Sequence, residues 1–324
     1  MDKKICDLHC DLLLYLAGDS SRTAFDEKAR CSIPQLQKGK VALQVMAVFT
    51  ESSLESAQRG SKQIQIFQQL PKKYPEHFTP YQGALKSKKI HLLYAIESAS
   101  GFCNEEESLD DGFKRLESYM QNVGKPLYIS LTWNTENRFG GGNMTQKGLK
   151  EDGKTLLEYL SGKKIAVDLS HTSDALARDI CNYIDEKKLQ IPLIASHSNY
   201  RSITEVERNL PDWLAKEIIQ RGGVIGFNFV RPFISFDPLP SFSPHLKHAI
   251  NLGAENHVCF GADFFYDEDI DNHHQVPFFF EGYGNSSCYE QVLNQWREHL
   301  GITENQVAKI CHQNFFDFLK RFQV

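Results

Sequence analysis

Residues 165–197 read IAVDLSHTSDALARDICNYIDEKKLQIPLIASH, and this stretch holds two short apolar segments, 165–171 and 191–197, with an amphipathic segment between them. A near-continuous apolar run is typical of a strand that is covered on both faces. The segment 173–187 has the apolar spacing of an α-helix. The stretch therefore predicts a β-α-β unit, whose two strands run parallel.

Eight strand segments of this kind occur along the chain, usually with a helix-period segment between two of them. The strand segments are 4–9, 41–49, 90–97, 127–133, 165–171, 191–197, 224–229 and 257–263. The clearest helical segments are 109–122, 153–160, 173–187 and 211–220. This pattern predicts that residues 1–324 form one α/β domain, a single (β/α)8 barrel of the TIM type, rather than two separate domains. A final helix at 303–321, whose first residues TENQ resemble a capping box, is expected to close the barrel.

Composition excludes several classes of protein. The 324 residues carry 36 Lys and Arg against 41 Asp and Glu, a formal net charge of −5, so the basic surface of a nucleic-acid-binding protein is not expected. No apolar run is long enough to span a membrane, and the start of the chain has no signal-peptide core, so a cytoplasmic location without a membrane partner is expected. Eight cysteines without a CxxC pair predict buried thiols.

Ionisable side chains follow the carboxyl ends of five predicted strands, where barrels of this type hold their active sites. These residues are His9, Asp11, Glu97, His171, His197 and Asp263. Such groups are costly to bury alone, so their convergence predicts a divalent metal. Asp263, beside metal-bound water, is expected to take up a proton and deliver it to a leaving amine. The structural alternatives are a capping or salt-bridge role for Glu97 and hydrogen bonds from Asp263 to loop amides.

The ligand types suggest how two metals would be shared. His9 and Asp11 are two residues apart in an extended segment, so their side chains point the same way and can bind one ion. His171 and His197 would bind a second ion, and Glu97 would bridge the two. Imidazole and carboxylate ligands without thiolate suit zinc, with manganese and iron as alternatives. A two-metal site of this kind would produce a hydroxide that bridges the ions and acts as nucleophile.

Several segments together resemble the renal (membrane) dipeptidase family, binuclear zinc metallopeptidases of the amidohydrolase-like barrel group. The matching segments are 7–11, 167–171, 192–198, 208–212, 222–229 and 257–264, so the resemblance covers nearly the whole chain. It implies two zinc ions, a small dipeptide substrate, Asp263 as the catalytic acid and base, and a homodimer. It also implies that Arg208 binds the carboxylate of the substrate, a role that suits the guanidinium fork. Without the resemblance, Arg208 would be interpreted as a surface arginine near a helix start.

One position departs from the family. Mammalian members carry a histidine after the fourth strand, whereas this chain has Trp133 followed by Asn134. An indole donates one hydrogen bond and is uncharged, so it cannot stabilise an oxyanion as an imidazolium would. We expect Trp133 and Asn134 to contact the substrate, and either the metals or Asn134 and Asn137 to compensate for the missing histidine.

Three functions remain open at this point. The first is a metal-dependent dipeptidase that uses the bridging hydroxide. The alternative is a metal-dependent amidohydrolase that acts on another small amide, lactam, lactone or acylated amino acid, as Trp133 and the aromatic run 278–280 suggest. The third is a catalytically silent barrel that binds a partner. The long segment 264–288, which includes His273 and His274, is expected to be a functional loop.

Overall fold

Nine β-strands form one parallel sheet in the computed structural model, which describes residues 4–323 apart from 269, 271, 272 and 274. They are β1 (Ile5–Cys10), β2 (Val41–Phe49), β3 (Phe78–Pro80), β4 (Ile90–Glu97), β5 (Tyr128–Ser130), β6 (Ala166–Asp168), β7 (Leu193–Ile194), β8 (Ile225–Phe227) and β9 (Val258–Phe260). Eight of them follow the order β7-β6-β5-β4-β2-β1-β9-β8. A bridge between Ala195 and Ile225 links β7 to β8, so the predicted barrel is confirmed and is nearly closed.

Helices cover the outside of the barrel. Those of the described residues are α1 (Leu12–Gly18), α2 (Ile33–Lys38), α3 (Ser56–Lys73), α4 (Leu109–Val123), α5 (Glu151–Leu160), α6 (Asp174–Lys187), α7 (Asp212–Gln220), α8 (Ser243–Asn251), α9 (Tyr289–Leu300), α10 (Glu304–Ala308) and α11 (Asn314–Phe322). The four helical segments predicted between strands are confirmed as α4 to α7. The short strand β3 was not predicted, and it pairs with β4 beside the barrel path.

The predicted last helix is interrupted. A capping box at Thr303 starts α10 as expected, but a π-helical turn at Lys309–Gln313 separates α10 from α11. The turn brings the Asn314 amide within hydrogen-bond distance of the Glu255 and Val258 carbonyl oxygens, 3.0 and 2.8 Å away, at the start of β9. Phe315, Phe318 and Leu319 of α11 pack with the side chains that fill the barrel lumen. The helix thus closes the barrel at the amino ends of its strands, as predicted.

Close backbone contact completes the barrel between β7, β8 and β9. A Cβ atom on Gly226 would lie 1.8 Å from the Ser196 carbonyl oxygen, and one on Gly261 would lie 1.9 Å from it. Only glycine leaves room for that carbonyl. Both glycines therefore allow the chain after β7, which carries His197, to enter the barrel mouth.

The long segment after β9 is largely anchored to the barrel. Phe279 and Phe280 of the aromatic run are buried, and Phe264 and Phe242 pack against them. Arg30 donates two hydrogen bonds to Asp267, 2.6 and 3.1 Å long. The predicted loop residue His274 lies outside the described residues.

Two expectations from composition can be compared with the fold. All eight cysteines are buried thiols, as predicted. Across the described residues, no helix has the length and apolar character needed to cross a membrane.

Candidate active site and metal centre

The predicted rim residues lie together at the carboxyl ends of the strands. All six side chains are buried, and they come from β1, β4 and the connections after β1, β6, β7 and β9: His9, Asp11, Glu97, His171, His197 and Asp263. Parallel strands direct their carboxyl ends to one face of a barrel, so residues far apart in sequence meet there.

Glu97 lies at the centre of this group. Its Oε2 atom is 3.2 Å from Nε2 of His9, while its Oε1 atom is 3.0 Å from Nε2 of His171 and 3.4 Å from Nε2 of His197. The two carboxylate oxygens therefore face different histidines. Asp11 lies on the His9 side, where its Oδ2 atom is 3.9 Å from Nε2 of His9.

Two of the site residues have an unusual backbone conformation. His171 and Asp263 have φ angles of 64° and 63°, in the left-handed region that non-glycine residues seldom occupy. Backbone strain of this kind persists where the surrounding structure holds it, and it is frequent at functional sites. Here both residues lie just after a strand, and their side chains reach the centre of the barrel mouth.

Hydrogen bonds at Nδ1 set the tautomers of His9 and His197. The Tyr128 hydroxyl donates to the Leu8 carbonyl at 3.1 Å, so it accepts from Nδ1–H of His9 at 2.7 Å. The Ser196 hydroxyl donates to Asp168 at 2.7 Å, so it accepts from Nδ1–H of His197 at 2.6 Å. Each neutral ring thus carries its proton on Nδ1 and has a lone pair on Nε2.

His171 follows the same rule through an amide. Its Nδ1 atom is 2.7 Å from Oδ1 of Asn134, which can only accept a hydrogen bond. The Nε2 lone pair of His171 is therefore directed at Glu97. Asn134 thus contacts a predicted metal ligand, and partners of this kind orient ligating histidines. Its contact with the substrate stays a prediction.

The resulting donor set fits a cation. The Nε2 atoms of His171 and His197 are 3.0 Å apart, and two lone pairs at that distance repel each other unless positive charge lies near them. Nε2 of His9 and Oδ1 of Asp11 are buried without a hydrogen-bond partner. Unsatisfied buried acceptors of this kind are costly, and a metal ion would satisfy them.

The pKa values of His9 and His171 also indicate a site that favours a positive charge beside the carboxylates. Burial lowers the pKa of His9, but the neighbouring carboxylates of Glu97, Asp11 and Asp263 outweigh it and raise that pKa to about 10. For His171, burial and the positive charge of Arg208 lower the pKa to about 4. A proton on His9 and a metal ion would therefore compete for one position.

Buried charge at this end of the barrel is strongly negative. Asp7 and Asp168 are buried near the site, and each accepts four hydrogen bonds, which favour the ionised form although burial raises the pKa of both carboxyl groups. Among the described residues, buried carboxylates outnumber buried Lys and Arg side chains by five to one: Asp7, Asp11, Glu97, Asp168 and Asp263 against Arg208. With all five carboxyl groups ionised and the histidines neutral, the excess is four negative charges. Burial raises the pKa of Asp11 well above its usual range, so this fully ionised state requires a compensating cation.

Asp263 is held by a buried amide. Nδ2 of Asn228 donates to Oδ2 of Asp263 at 2.9 Å, and the amide orientation is set because Oδ1 of Asn228 accepts from the Val230 N–H at 2.6 Å. Oδ1 of Asp263 is thereby left facing His9, 3.7 Å from its Nε2 atom. Burial raises the pKa of Asp263 to about 6, with His9 opposing the shift. This value suits a group that exchanges a proton near neutral pH.

Arg208 is buried beside the same group. Its Nη1 and Nη2 atoms donate to the Ser198 hydroxyl and to the His197 carbonyl, both at 2.8 Å, and its guanidinium lies 5.5 Å from the ring centre of Phe233. Its Nε atom is buried without a hydrogen-bond partner. This placement excludes a surface role, and it presents a positive charge next to the histidines.

Trp133 lies at the barrel mouth, where it is half-buried. Its ring centre is 5.0 Å from that of Phe49, in an edge-on arrangement, and 6.0 Å from that of His171. Asn137, the other predicted compensating amide, is buried and donates to the Leu131 carbonyl at 2.8 Å. Trp133 and Asn134 are both half-buried at the barrel mouth, whereas Asn137 is buried behind them.

Sequence reasoning missed the residues that support the ligands. Tyr128, Ser196 and Asn228 are buried and contact either a histidine of the site or Asp263. Asp168 is buried behind them and accepts a hydrogen bond from the Ser196 hydroxyl. The available signal was a polar residue within an otherwise apolar strand segment, as in IAVDLSH. That signal marks a polar buried side chain but does not indicate its partner.

Comparisons with known proteins identify a solved structure with this fold and a relative of similar sequence. A metallopeptidase from Rhodobacter sphaeroides, solved with a phosphinate mimic of the dipeptide L-Ala-D-Ala, has a TM-score of 0.81 and 20% identity, and the match covers 99% of this chain and 100% of that one. This likeness shows the fold. A relative from Schizosaccharomyces pombe, described as an uncharacterized dipeptidase, is 25% identical over 96% of this chain and 78% of its own length.

The family follows from a match over almost the entire chain. An uncharacterized Klebsiella pneumoniae protein is 29% identical, over 55% of this chain, and the match spans 66% of that relative's length. The family model described as membrane dipeptidase, peptidase family M19, matches residues 1–323. The chain therefore belongs to the membrane dipeptidase family, the metal-dependent dipeptidases of peptidase family M19.

Proposed function

We propose that this chain hydrolyses small dipeptides with two divalent metal ions, most suitably zinc, held at the barrel mouth. The observation that carries the proposal is the position of Glu97, whose two oxygens face His9 on one side and His171 with His197 on the other. A carboxylate in that position can bind one ion with each oxygen. Two divalent cations would also balance the four excess negative charges that the buried groups carry when all five carboxyl groups are ionised and the histidines are neutral.

The ligand set divides between the two positions. His9, Asp11 and Glu97 would hold one ion, and Glu97, His171 and His197 the other. Nitrogen and oxygen donors without thiolate suit zinc. When bound, such a pair of ions lowers the pKa of water and polarises the carbonyl group of the substrate.

The chain's own residues would orient the substrate and move the proton. The Arg208 guanidinium would bind the carboxylate of the carboxyl-terminal residue, since a fork of N–H donors matches a carboxylate. Oδ1 of Asp263 would take up a proton and return it to the leaving amine, while Asn228 holds the other oxygen. Arg208 and Asn228 both donate to the His197 carbonyl oxygen. The same backbone group, next to a predicted metal ligand, therefore positions both side chains.

Metal content and hydrolysis test this proposal together. Purified protein is expected to contain about two zinc ions per chain and to hydrolyse members of a panel of L,L and L,D dipeptides that includes L-Ala-D-Ala. Chelation is expected to abolish hydrolysis, and added zinc to restore it. Protein that binds two metals but cleaves no dipeptide would contradict the substrate proposal, whereas protein without metal would contradict the site.

Substitution of Arg208 separates dipeptides from the alternative substrates. Arg208→Met is expected to lower kcat/KM for dipeptides by about a hundredfold, because a buried charge-assisted contact is worth about 2–5 kcal/mol. An enzyme for amides, lactams or lactones without a carboxylate would lose little. Arg178→Met, at an exposed position on α6, is the matched control. Unchanged dipeptide kinetics in Arg208→Met would favour the alternative substrates without a carboxylate. Phe279 and Phe280 are buried and therefore provide no support for that alternative.

A further inference from the structure

We propose that Phe49 and Trp133 form an apolar wall that selects dipeptides whose amino-terminal residue has a large apolar or aromatic side chain. The inference rests on the proposed function, because it places the substrate between Arg208 and the metal ligands. It adds a substrate class and assigns specificity to two side chains that bind no metal.

Strand geometry directs Phe49 into the barrel mouth. Leu43 and Val45 of β2 pack in the lumen, so Phe49, at the same parity further along the strand, faces inward as well. In the parallel register, Phe49 pairs with Glu97, whose side chain reaches the centre of the site. Phe49 is half-buried at this place, which leaves part of its ring available to a ligand.

Neighbouring side chains hold Phe49 and Trp133 in place. The side chain of Gln63 in α3 accepts from the Phe49 N–H at 3.0 Å and donates to the Phe49 carbonyl at 2.6 Å. Trp133 packs edge-on against the Phe49 ring, and its ring centre lies 6.0 Å from that of His171. The two aromatic side chains therefore form one continuous surface that reaches the predicted metal ligands.

The wall lies across the barrel from the groups that would hold the leaving residue. Phe49 is the last residue of β2 and Trp133 follows β5, and these two strands lie on either side of β4. Four strand steps separate β4 from β8 in both directions around the barrel. Arg208 lies between the ends of β7 and β8, since it contacts His197 and the ring of Phe233.

This arrangement decides which half of a dipeptide meets the wall. The leaving amine belongs to the residue that carries the free carboxylate, so that residue lies on the side of Arg208 and Asp263. The other residue, which carries the carbonyl under attack, extends over the metal ligands toward Phe49 and Trp133. An apolar side chain on the amino-terminal residue would bury its surface against the two rings, whereas a charged one would be desolvated there without a partner.

Kinetic ratios test the wall without depending on metal content. For the wild-type enzyme, kcat/KM for L-Phe-L-Ala is expected to exceed that for L-Ala-L-Ala by about tenfold or more. Phe49→Ala is expected to reduce that ratio to about threefold or less, and Trp133→Ala to reduce it as well. Trp133→Phe is expected to retain most of the ratio, because it keeps an aromatic face. Leu54→Ala, which removes an exposed side chain from the loop after β2, is expected to leave the ratio unchanged.

The reversed dipeptide provides the second arm. L-Ala-L-Phe places its aromatic side chain on the leaving residue, so its kcat/KM relative to L-Ala-L-Ala is expected to be the same in wild type and Phe49→Ala. Equal ratios for L-Phe-L-Ala in wild type and both alanine variants would overturn the wall, provided that L-Ala-L-Ala is hydrolysed. Failure of the wild-type enzyme to hydrolyse any of the three would instead overturn the proposed function.

Discussion

Glu97→Gln is expected to reduce kcat/KM for dipeptides by about 10³-fold or more and to lower the bound metal from two ions per chain to one or none. Glu97 is the side chain whose oxygens face both His9 and the His171–His197 pair, at 3.0 to 3.4 Å. Glutamine replaces one oxygen with an NH2 group, which cannot bind a cation. Two metals supply several kcal/mol of transition-state stabilisation, and about 4 kcal/mol corresponds to a factor of 10³.

Metal analysis and circular dichroism distinguish this loss from misfolding. Glu51→Gln is the matched control, because Glu51 is an exposed glutamate two residues after β2. This control is expected to keep both metals and full activity. An active Glu97→Gln enzyme with two zinc ions would rule out the bridging role.

Asp263→Asn is expected to lower kcat by about 10²- to 10⁴-fold, the usual contribution of a positioned acid or base. Its Oδ1 atom is the carboxylate oxygen left toward the site, because Asn228 donates to Oδ2 at 2.9 Å. Asparagine keeps the size of the side chain but cannot carry the proton. We therefore expect KM for dipeptides and metal content to change little, since the lost interaction belongs to the transition state.

The split between kcat and metal content is the informative result for Asp263. Asp185→Asn, at a surface ion pair with Arg221, is the control and is expected to behave like wild type. If Asp263→Asn lost metal in parallel with activity, Asp263 would be a ligand rather than the proton carrier. Its Oδ1 atom lies 3.7 Å from Nε2 of His9, which is close enough for either role, so metal content separates the two.

The barrel itself could be predicted because its signals are local. Near-continuous apolar strands and amphipathic helices can be recognised from neighbouring residues, and all eight strand segments correspond to β1, β2 and β4 to β9. The boundaries were less predictable. The segments 127–133 and 191–197 were expected to be strands throughout, but β5 and β7 are shorter, and the residues beyond them turn into the barrel mouth. That turn depends on close contacts such as the one between Ser196 and Gly226.

Individual side-chain roles depended on packing that the sequence does not display. The aromatic run 278–280 suggested a substrate loop, yet Phe279 and Phe280 are buried against other rings. Asn134 forms a hydrogen bond with His171, a contact between residues 37 positions apart that the sequence does not display. The ligand and catalytic roles, the number of metals, the homodimer, the absence of a nucleic-acid partner and the cytoplasmic location stay predictions.

The sequence by itself determined the barrel, the family and the set of ionisable residues at the rim, because strand periodicity and motif spacing are properties of short segments. Only the tertiary structure decided which atoms face each other. Tyr128 sets the tautomer of His9 across 119 residues of chain, and the amide of Asn228 orients Asp263 from a neighbouring strand. Hydrogen bonds act over about 3 Å in space, whatever the separation in sequence, so the direction of each donor and acceptor is a property of the folded barrel.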